Sequence, residues 1–334
     1  MTLRSITLAI LLFGAGSGYA GESGKEYGVY EYVVNNVHGT FAQASARLAA
    51  AAPAGWSLLA QVECAPPAEC AFRATVFAYF DSAYARRVML MNRKTGPYAV
   101  IDRVNLFEDE QGMHVSVVNP RSILRTVLLD DTACAALAEA HLHDLRTLVD
   151  SAVQGEESIK QYGEFRDRGF IGKTMGVMAG GRFDDKVEEV IAVPNAEWTD
   201  IAAKVAHGLG TRGKTWGMHL AFRLDLPEFE TVILGATGAT MESKSFDIVG
   251  SGSDDARSDL KCPGLAHAGA YPLEVVVTKD GGAVRVQMVN AMFRMKMYFE
   301  DAGNWAFMKH MGMPGSIADE LTGQIQSGIH EEAQ

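Results

Sequence analysis

Four side chains that can bind a soft metal lie close together in the stretch MKHMGMP: Met308, His310, Met311 and Met313. Thioether and imidazole groups are ligands that suit Cu(I). Methionine also fills irregular gaps in hydrophobic cores and packs well against aromatic rings, several of which lie nearby in the sequence. The spacing therefore supports two interpretations, a copper or haem site at these four residues or a buried hydrophobic segment.

The four cysteines are a second set of residues that could carry chemistry. Cys64 and Cys70 flank the stretch APPAE, at a predicted turn between two strands. Because paired strands bring Cβ atoms close enough for a disulfide, we predict a bond between Cys64 and Cys70. Cys134 and Cys262 then form either a second disulfide that ties two domains or a pair of buried thiols; the alternative is a soft metal ligand or a redox pair.

The stretch GLGTRGKT, residues 208–215, matches the phosphate-binding pattern G-x-x-x-x-G-K-[ST]. That loop requires a strand before it and a helix after it, so that the helix N-terminus meets the phosphates. Here a predicted helix from Asn195 precedes the loop and a predicted strand at Trp216 follows it. The order indicates a loop that ends a helix. No nucleophile with a partnered base and no paired carboxylates stand out, so the sequence does not require an enzyme.

One hairpin sequence occurs twice along the chain. MHVSVVN, residues 113–119, returns as VRVQMVN, residues 284–290, and each copy follows a Gly-x-Tyr motif and an apolar strand. Upstream, each copy has a strand and then a helix, opened by Phe41 or Trp198. Downstream, each copy closes with a helix, over 132–153 or 316–330. The pattern predicts the order β-α-β-β-β-β-α, twice.

A longer part of the first copy resembles a known family. The segment FRATVFAYFDSAYARRVMLMN, followed by a hairpin that ends in VSVVNP, is similar to the domain of unknown function 302 (DUF302) family, which also occurs as tandem repeats. The resemblance implies an α+β fold of the TATA-binding-protein type, with antiparallel sheets and helices on one face. It implies no established chemistry.

The resemblance also suggests domain boundaries. It covers residues 25–155 well, and a second repeat over 184–334 less well, because the second copy departs from the first after Asn290. A Met-rich insertion, 291–315, follows that residue. The segment between the repeats, 156–183, is predicted to be a linker that partly folds across both.

The first twenty residues read as a secretory signal. Arg4 is followed by an apolar run, and small residues lie at Gly18 and Ala20. We predict cleavage after Ala20, which leaves Gly21 first and places the protein in the periplasm or outside the cell. The apolar run is too short to span about 30 Å of hydrocarbon, so we predict no membrane anchor.

Composition and charge limit the classes of partner that the protein could bind. The formal net charge is −11, and no Lys/Arg cluster appears, which disfavours a nucleic-acid partner. The leading hypothesis is an exported, non-enzymatic binding or interaction module, whose partner is a small molecule, a metal or a periplasmic protein. The alternatives are a copper or haem protein that uses the Met-rich insertion and an enzyme of unknown reaction.

Overall fold

The computed structural model describes residues 26–129, 131, 133–166, 181–252 and 260–330. The predicted signal, 1–20, and a large part of the predicted linker lie outside the described residues, so export stays a prediction. Within the described ranges, no helix combines the length and the apolar character needed to cross a membrane.

The first half, residues 26–166, forms an antiparallel sheet. The elements in chain order are β1 (Tyr27–Asn35), α1 (Phe41–Ala49), β2 (Trp56–Cys64), β3 (Ala74–Asp81), α2 (Ser82–Met91), β4 (Asp102–Asp109), β5 (Gly112–Val118), α3 (Pro120–Val127), α4 (Cys134–Ala152), β6 (Glu156–Glu157) and β7 (Gln161–Arg166). The strand order in the sheet is β2-β3-β4-β5-β1-β6, and β7 also pairs with β1.

The second half, residues 181–330, forms a second antiparallel sheet. Its elements are β8 (Val187–Pro194), α5 (Trp198–Gly210), β9 (His219–Leu226), β10 (Thr231–Thr237), α6 (Ala239–Gly250), β11 (Leu273–Asp280), β12 (Ala283–Val289), α7 (Ala291–Phe299), α8 (Asn304–Lys309) and α9 (Gly312–His330). The strand order in this sheet is β8-β12-β11-β10-β9. The predicted α+β class with antiparallel sheets is confirmed.

The strands of the two halves pair in the same register. Asp109 lies opposite Gly112 across β4 and β5, and Asp280 lies opposite Ala283 across β11 and β12. A bulge interrupts β1 where it pairs with β5, and β8 carries a bulge at the same place against β12. Positions in the two hairpins can therefore be matched residue by residue.

The predicted element order was incomplete. Each half has a helix directly after its third strand, α2 or α6, and another directly after its hairpin, α3 or α7. Asp81 starts α2 because its side chain accepts a hydrogen bond from the Ala83 backbone N–H. Asn119 and Asn290 cap α3 and α7 in the same way. Each of these helices begins within a residue or two of its strand, so no turn signal separates the two elements.

The two halves share one buried interior. Helices α1 and α4 cover one face of the first sheet, and a 3-10 helix of the second half, Pro263–Ala270, lies on β3, β4 and β5 from the other side. Helices α5 and α9 pack together over the second sheet. They approach closely at Gly208 and Gly328, where a Cβ on either glycine would lie under 2.5 Å from the backbone of the other helix.

The disulfide prediction was wrong. Cys70 bonds to Cys262, with 6.0 Å between their Cα atoms, and Cys64 is a buried thiol. The residue opposite Cys64 in the strand ladder is Ala74, and the intervening loop carries Cys70 towards the second half. The suggested pairing of Cys134 with Cys262 is wrong for the same reason; Cys134 is buried at the start of α4.

The interpretation of residues 208–215 as the end of a helix is confirmed. Helix α5 ends at Gly210, and the next regular element is the strand β9, which begins at His219. The segment therefore has the reverse of the order that a phosphate-binding loop requires.

Candidate functional site

A partly enclosed cavity of about 90 Å³ lies in the second half, between α6, α7, α9 and the strands β11 and β12. Most of its lining is apolar: Met241, Ile248, Val249, Leu273, Met288, Val289, Ala291, Met295, Phe299, Ala302, Pro314, Ile317, Ala318 and Leu321. A concave apolar site with a few polar groups is the usual form of a small-molecule site.

Polar groups line one part of this cavity. They are Ser245 on α6, Tyr271, Glu274 on β11 and Arg294 on α7. The Tyr271 hydroxyl donates a hydrogen bond to Ser245 Oγ at 2.5 Å, and Ser245 Oγ donates to the Met241 carbonyl at 2.8 Å. Burial raises the pKa of Tyr271, so its phenol is neutral at physiological pH.

The charged groups belong to a buried cluster that joins the two halves. Arg294 Nε lies 3.1 Å from Glu274 Oε2, and Glu274 also contacts Arg103 on β4 of the first half. All three residues are at most 7% exposed. Burial lowers the pKa of both guanidinium groups, because it removes a cation from water. Two guanidinium groups thus share one carboxylate.

Hydrogen bonds from two of its three guanidinium nitrogens hold Arg294 in place. Its Nη2 donates to the carbonyls of Ala270 and Pro272, at 2.7 and 3.2 Å, and its guanidinium lies 4.7 Å from the centre of the Tyr298 ring. The hydrogen bonds that Arg294 makes to described residues come from Nε and Nη2, and none comes from Nη1. Because the side chain lines the cavity, its guanidinium can donate to an occupant of that space.

The α9 wall of the cavity is anchored to the loop that follows α5. The Glu320 carboxylate accepts hydrogen bonds from the backbone N–H groups of Thr215, Trp216 and Met218, at 2.6, 3.1 and 3.1 Å. Partial burial alone would raise the pKa of Glu320, but these donors outweigh it and lower the pKa. Trp216 Nε1 also donates to Ser316 Oγ at 3.0 Å. These bonds fix the helix that supplies Ile317 and Leu321.

The first half fills its equivalent space with polar and aromatic side chains. His141 Nε2 on α4 lies 2.7 Å from Asp102 Oδ1 on β4. The imidazole stacks on the Tyr84 ring at 3.5 Å between centroids, and on Trp56 at 5.4 Å. His141, Asp102 and Tyr84 are all buried.

The strand register shows what replaces these side chains in the second half. Leu273 holds the position of Asp102, and Met241 holds that of Tyr84. When the buried positions of α4 and α9 are aligned, Leu321 falls at the position of His141. All three replacements line the cavity. The cavity exists because aliphatic and thioether side chains stand where the first half has a ring, a carboxylate and an imidazole.

The residues predicted to bind copper or haem lie elsewhere. Met308 and Met311, at the junction of α8 and α9, are 54% and 38% exposed. His310 is partly buried, and Met313 packs against the hydrophobic core. In the part of the chain that the structure describes, no three His, Cys, Asp or Glu side chains group as a metal site. Binding of Cu(I) or haem by Met308, His310, Met311 and Met313 stays a prediction.

Sequence reasoning missed Glu274 and Arg294. The signal that was available is a charge inside an apolar run: the glutamate is the single charge in LEVVV, and the arginine is one of two charges in AMFRMKMYF. Charged residues are almost never fully buried unless they are paired, so a charge in such a run is informative. The partner could not be read from the sequence, because Arg103 comes from the other half of the chain.

Comparison with known proteins adds little to this geometry. No protein-family model matches the chain, and no curated protein matches it. Among solved structures, the chain is similar to the uncharacterized conserved protein DUF302 from Bacillus stearothermophilus, with 14% identity, a TM-score of 0.32, and coverage of 37% of this chain and 98% of that one.

Proposed function

We propose that this protein binds an apolar small molecule in the cavity between α6, α7 and α9, and that it is a binding protein, not an enzyme. One observation carries the proposal: the second half leaves open the space that the first half fills, although the strands around it keep the same register. A ligand that enters the cavity removes its own apolar surface and that of the lining side chains from water, which is the main favourable contribution to such binding.

The ionisable groups that line the cavity support binding over catalysis. Glu274 is paired with two arginines, Tyr271 is a neutral phenol, and the Ser245 hydroxyl is hydrogen-bonded to Tyr271 and to a backbone carbonyl. A hydrolytic site needs a nucleophile beside a base. These groups supply neither.

The origin of the cavity fits a duplicated domain. We propose that the halves are two DUF302-like repeats, over 25–155 and 184–334, of the TATA-binding-protein type. The shared strand order, the shared register and the bulges at the same places support this proposal. After a domain is duplicated, one copy can keep the fold stable while the interior side chains of the other copy change.

Calorimetric titration with 1-octanol tests the binding proposal. We expect saturable binding to the wild-type protein, and we expect Ala318→Phe to abolish it, because Ala318 lines the cavity and the larger ring fills it. The melting temperature of this variant should stay equal or rise. Gln326→Phe, on the exposed side of the same helix, is the matched control and should bind as the wild type does. Wild-type protein that fails to bind 1-octanol would contradict the proposal.

A further inference from the structure

We infer that the ligand is an aliphatic monocarboxylate, whose chain enters the apolar cavity and whose carboxylate binds Arg294. This inference rests on the proposed function and adds the chemical class of the ligand. Three independent features of the site carry it: its charge, the position of Arg294 in the fold, and the size of the cavity.

The first feature is the presence of two guanidinium groups on one carboxylate at the cavity. Arg103 and Glu274 hold equivalent positions in the β4–β5 and β11–β12 hairpins, and they contact each other across the two halves. That pair is neutral by itself. Arg294 adds a second cation to the same carboxylate, so the buried cluster of these three residues carries a net charge of +1. A buried cation is costly unless an anion compensates it.

The second feature is that the fold does not require an arginine at this position. Asn119 caps α3 and Asn290 caps α7, so the fourth residue of α3, Ile123, is the counterpart of Arg294. Ile123 is buried and apolar in the first half. The same helix therefore packs without a charge. The arginine is specific to the half that contains the cavity.

The third feature is the shape of the space. An engineered apolar cavity of roughly 150 Å³ accepts benzene. The present cavity, of about 90 Å³, is smaller but only partly enclosed, so an unbranched chain can enter it end-on and extend towards its opening, which a ring cannot do. The chain would extend past Met241 and Leu321, while Nη1 of Arg294 donates to the carboxylate. Charge-assisted hydrogen bonds of this kind are stronger than neutral ones.

Paired titrations with octanoate and 1-octanol test the inference, because the two probes share a chain and differ in charge at pH 7. We expect the wild-type protein to bind octanoate at least tenfold more tightly than 1-octanol. Arg294→Met should lower octanoate affinity at least tenfold and lower 1-octanol affinity much less, because the alcohol loses only a hydrogen bond to a neutral group, whereas octanoate loses its ion pair. It removes the extra cation and leaves the Arg103–Glu274 pair, so folding should be retained, which thermal unfolding checks. Arg294→Lys should keep most of the preference for octanoate.

The outcomes separate this inference from the function on which it rests. Equal wild-type affinity for the two probes would overturn the carboxylate assignment and leave the apolar site standing. Octanoate binding that survives Arg294→Met would do the same. If the wild-type protein binds neither probe, both the site and the assignment are wrong. The wild-type comparison decides the question even if the arginine variants fail to fold.

Discussion

The Glu320 carboxylate accepts hydrogen bonds from a group of backbone N–H donors of the kind that phosphate-binding loops offer to a ligand. Three N–H groups of the segment 215–218 point at it. Gly213 is required for this approach, because a Cβ there would lie 2.0 Å from Glu320 Oε1. Gly213 of the motif GLGTRGKT thus allows the close contact between α9 and the loop. Backbone groups at the end of the motif and just after it thus bind an anion, and that anion is the Glu320 carboxylate of the same chain.

Replacing Glu320 by glutamine should weaken the docking of α9 in a pH-dependent way. We expect the variant to lose about 1 kcal/mol of stability at pH 7, because neutral hydrogen bonds replace charge-assisted ones. The folded-state pKa of Glu320 is lowered, so its contribution is fully present above the unfolded value of about 4.3 and is lost as the pH falls through the folded pKa. Urea unfolding across the pH range measures this difference.

Asp319→Asn is the matched control for that experiment, because Asp319 is exposed on the same helix. It should leave the stability at pH 7 nearly unchanged. A stability loss in Glu320→Gln that is equally large at pH 7 and at pH 3 would contradict the electrostatic account.

His114 shows where reasoning from single residues fails. Alternation along the strand puts His114 on the side opposite to the apolar side chains of Met113 and Val115, yet His114 is 4% exposed and lies 2.9 Å from Asn35 and 3.1 Å from Asp109. Period-two patterns locate two faces of a strand, and they identify a solvent face only when one face is open. The first sheet is covered on both faces, so the outward side chain is buried as well.

At the scale of elements, the sequence predicted most of the fold. The helices opened by Phe41 and Trp198 and the closing helices α4 and α9 were recovered, because each has an apolar stripe of helical period. Helices α2, α3, α6 and α7 were left out of the predicted order because each follows a strand almost directly. The joints before α2, α3 and α7 are marked by a single capping residue, such as Asp81, which periodicity does not detect.

The candidate site was harder to predict than the elements that form it. Its cavity depends on which side chains of α6, β11 and α9 meet, and these elements are far apart in the sequence. Leu321 and His141 hold similar places on similar helices, and each fits the helical stripe equally well. Only the packed structure shows that one leaves a space and the other fills it.

At the scale of the molecule, the two halves are joined by buried polar contacts and by one covalent bond. Arg103 and Glu274 meet between the halves, and the Glu242 carboxylate of α6 accepts a hydrogen bond from the Ala65 backbone N–H at 2.8 Å. The disulfide between Cys70 and Cys262 spans the same boundary. The 3-10 helix Pro263–Ala270 begins directly after Cys262, so the disulfide holds it over the first sheet.

Removing this disulfide should therefore destabilise the whole molecule. We expect the double variant Cys70→Ser/Cys262→Ser to lose about 2–5 kcal/mol in denaturant unfolding, the usual cost of losing a native disulfide. Cys64→Ser is the control, since Cys64 is outside the bond; the control should keep the disulfide and change stability less. Peptide mapping under non-reducing conditions should recover Cys70 joined to Cys262. A peptide that joins Cys64 to Cys70 would contradict the structure.

The central claim, that the cavity between α6, α7 and α9 is the binding site, is tested most directly by methyl NMR of protein labelled at its methionine methyl groups. Met241, Met288 and Met295 line the cavity, whereas Met308 and Met311 are exposed outside it. On titration with 1-octanol, the account predicts saturable shifts of the first three methyl signals and none for the other two. Shifts confined to Met308 and Met311, or no shift at all, would contradict it.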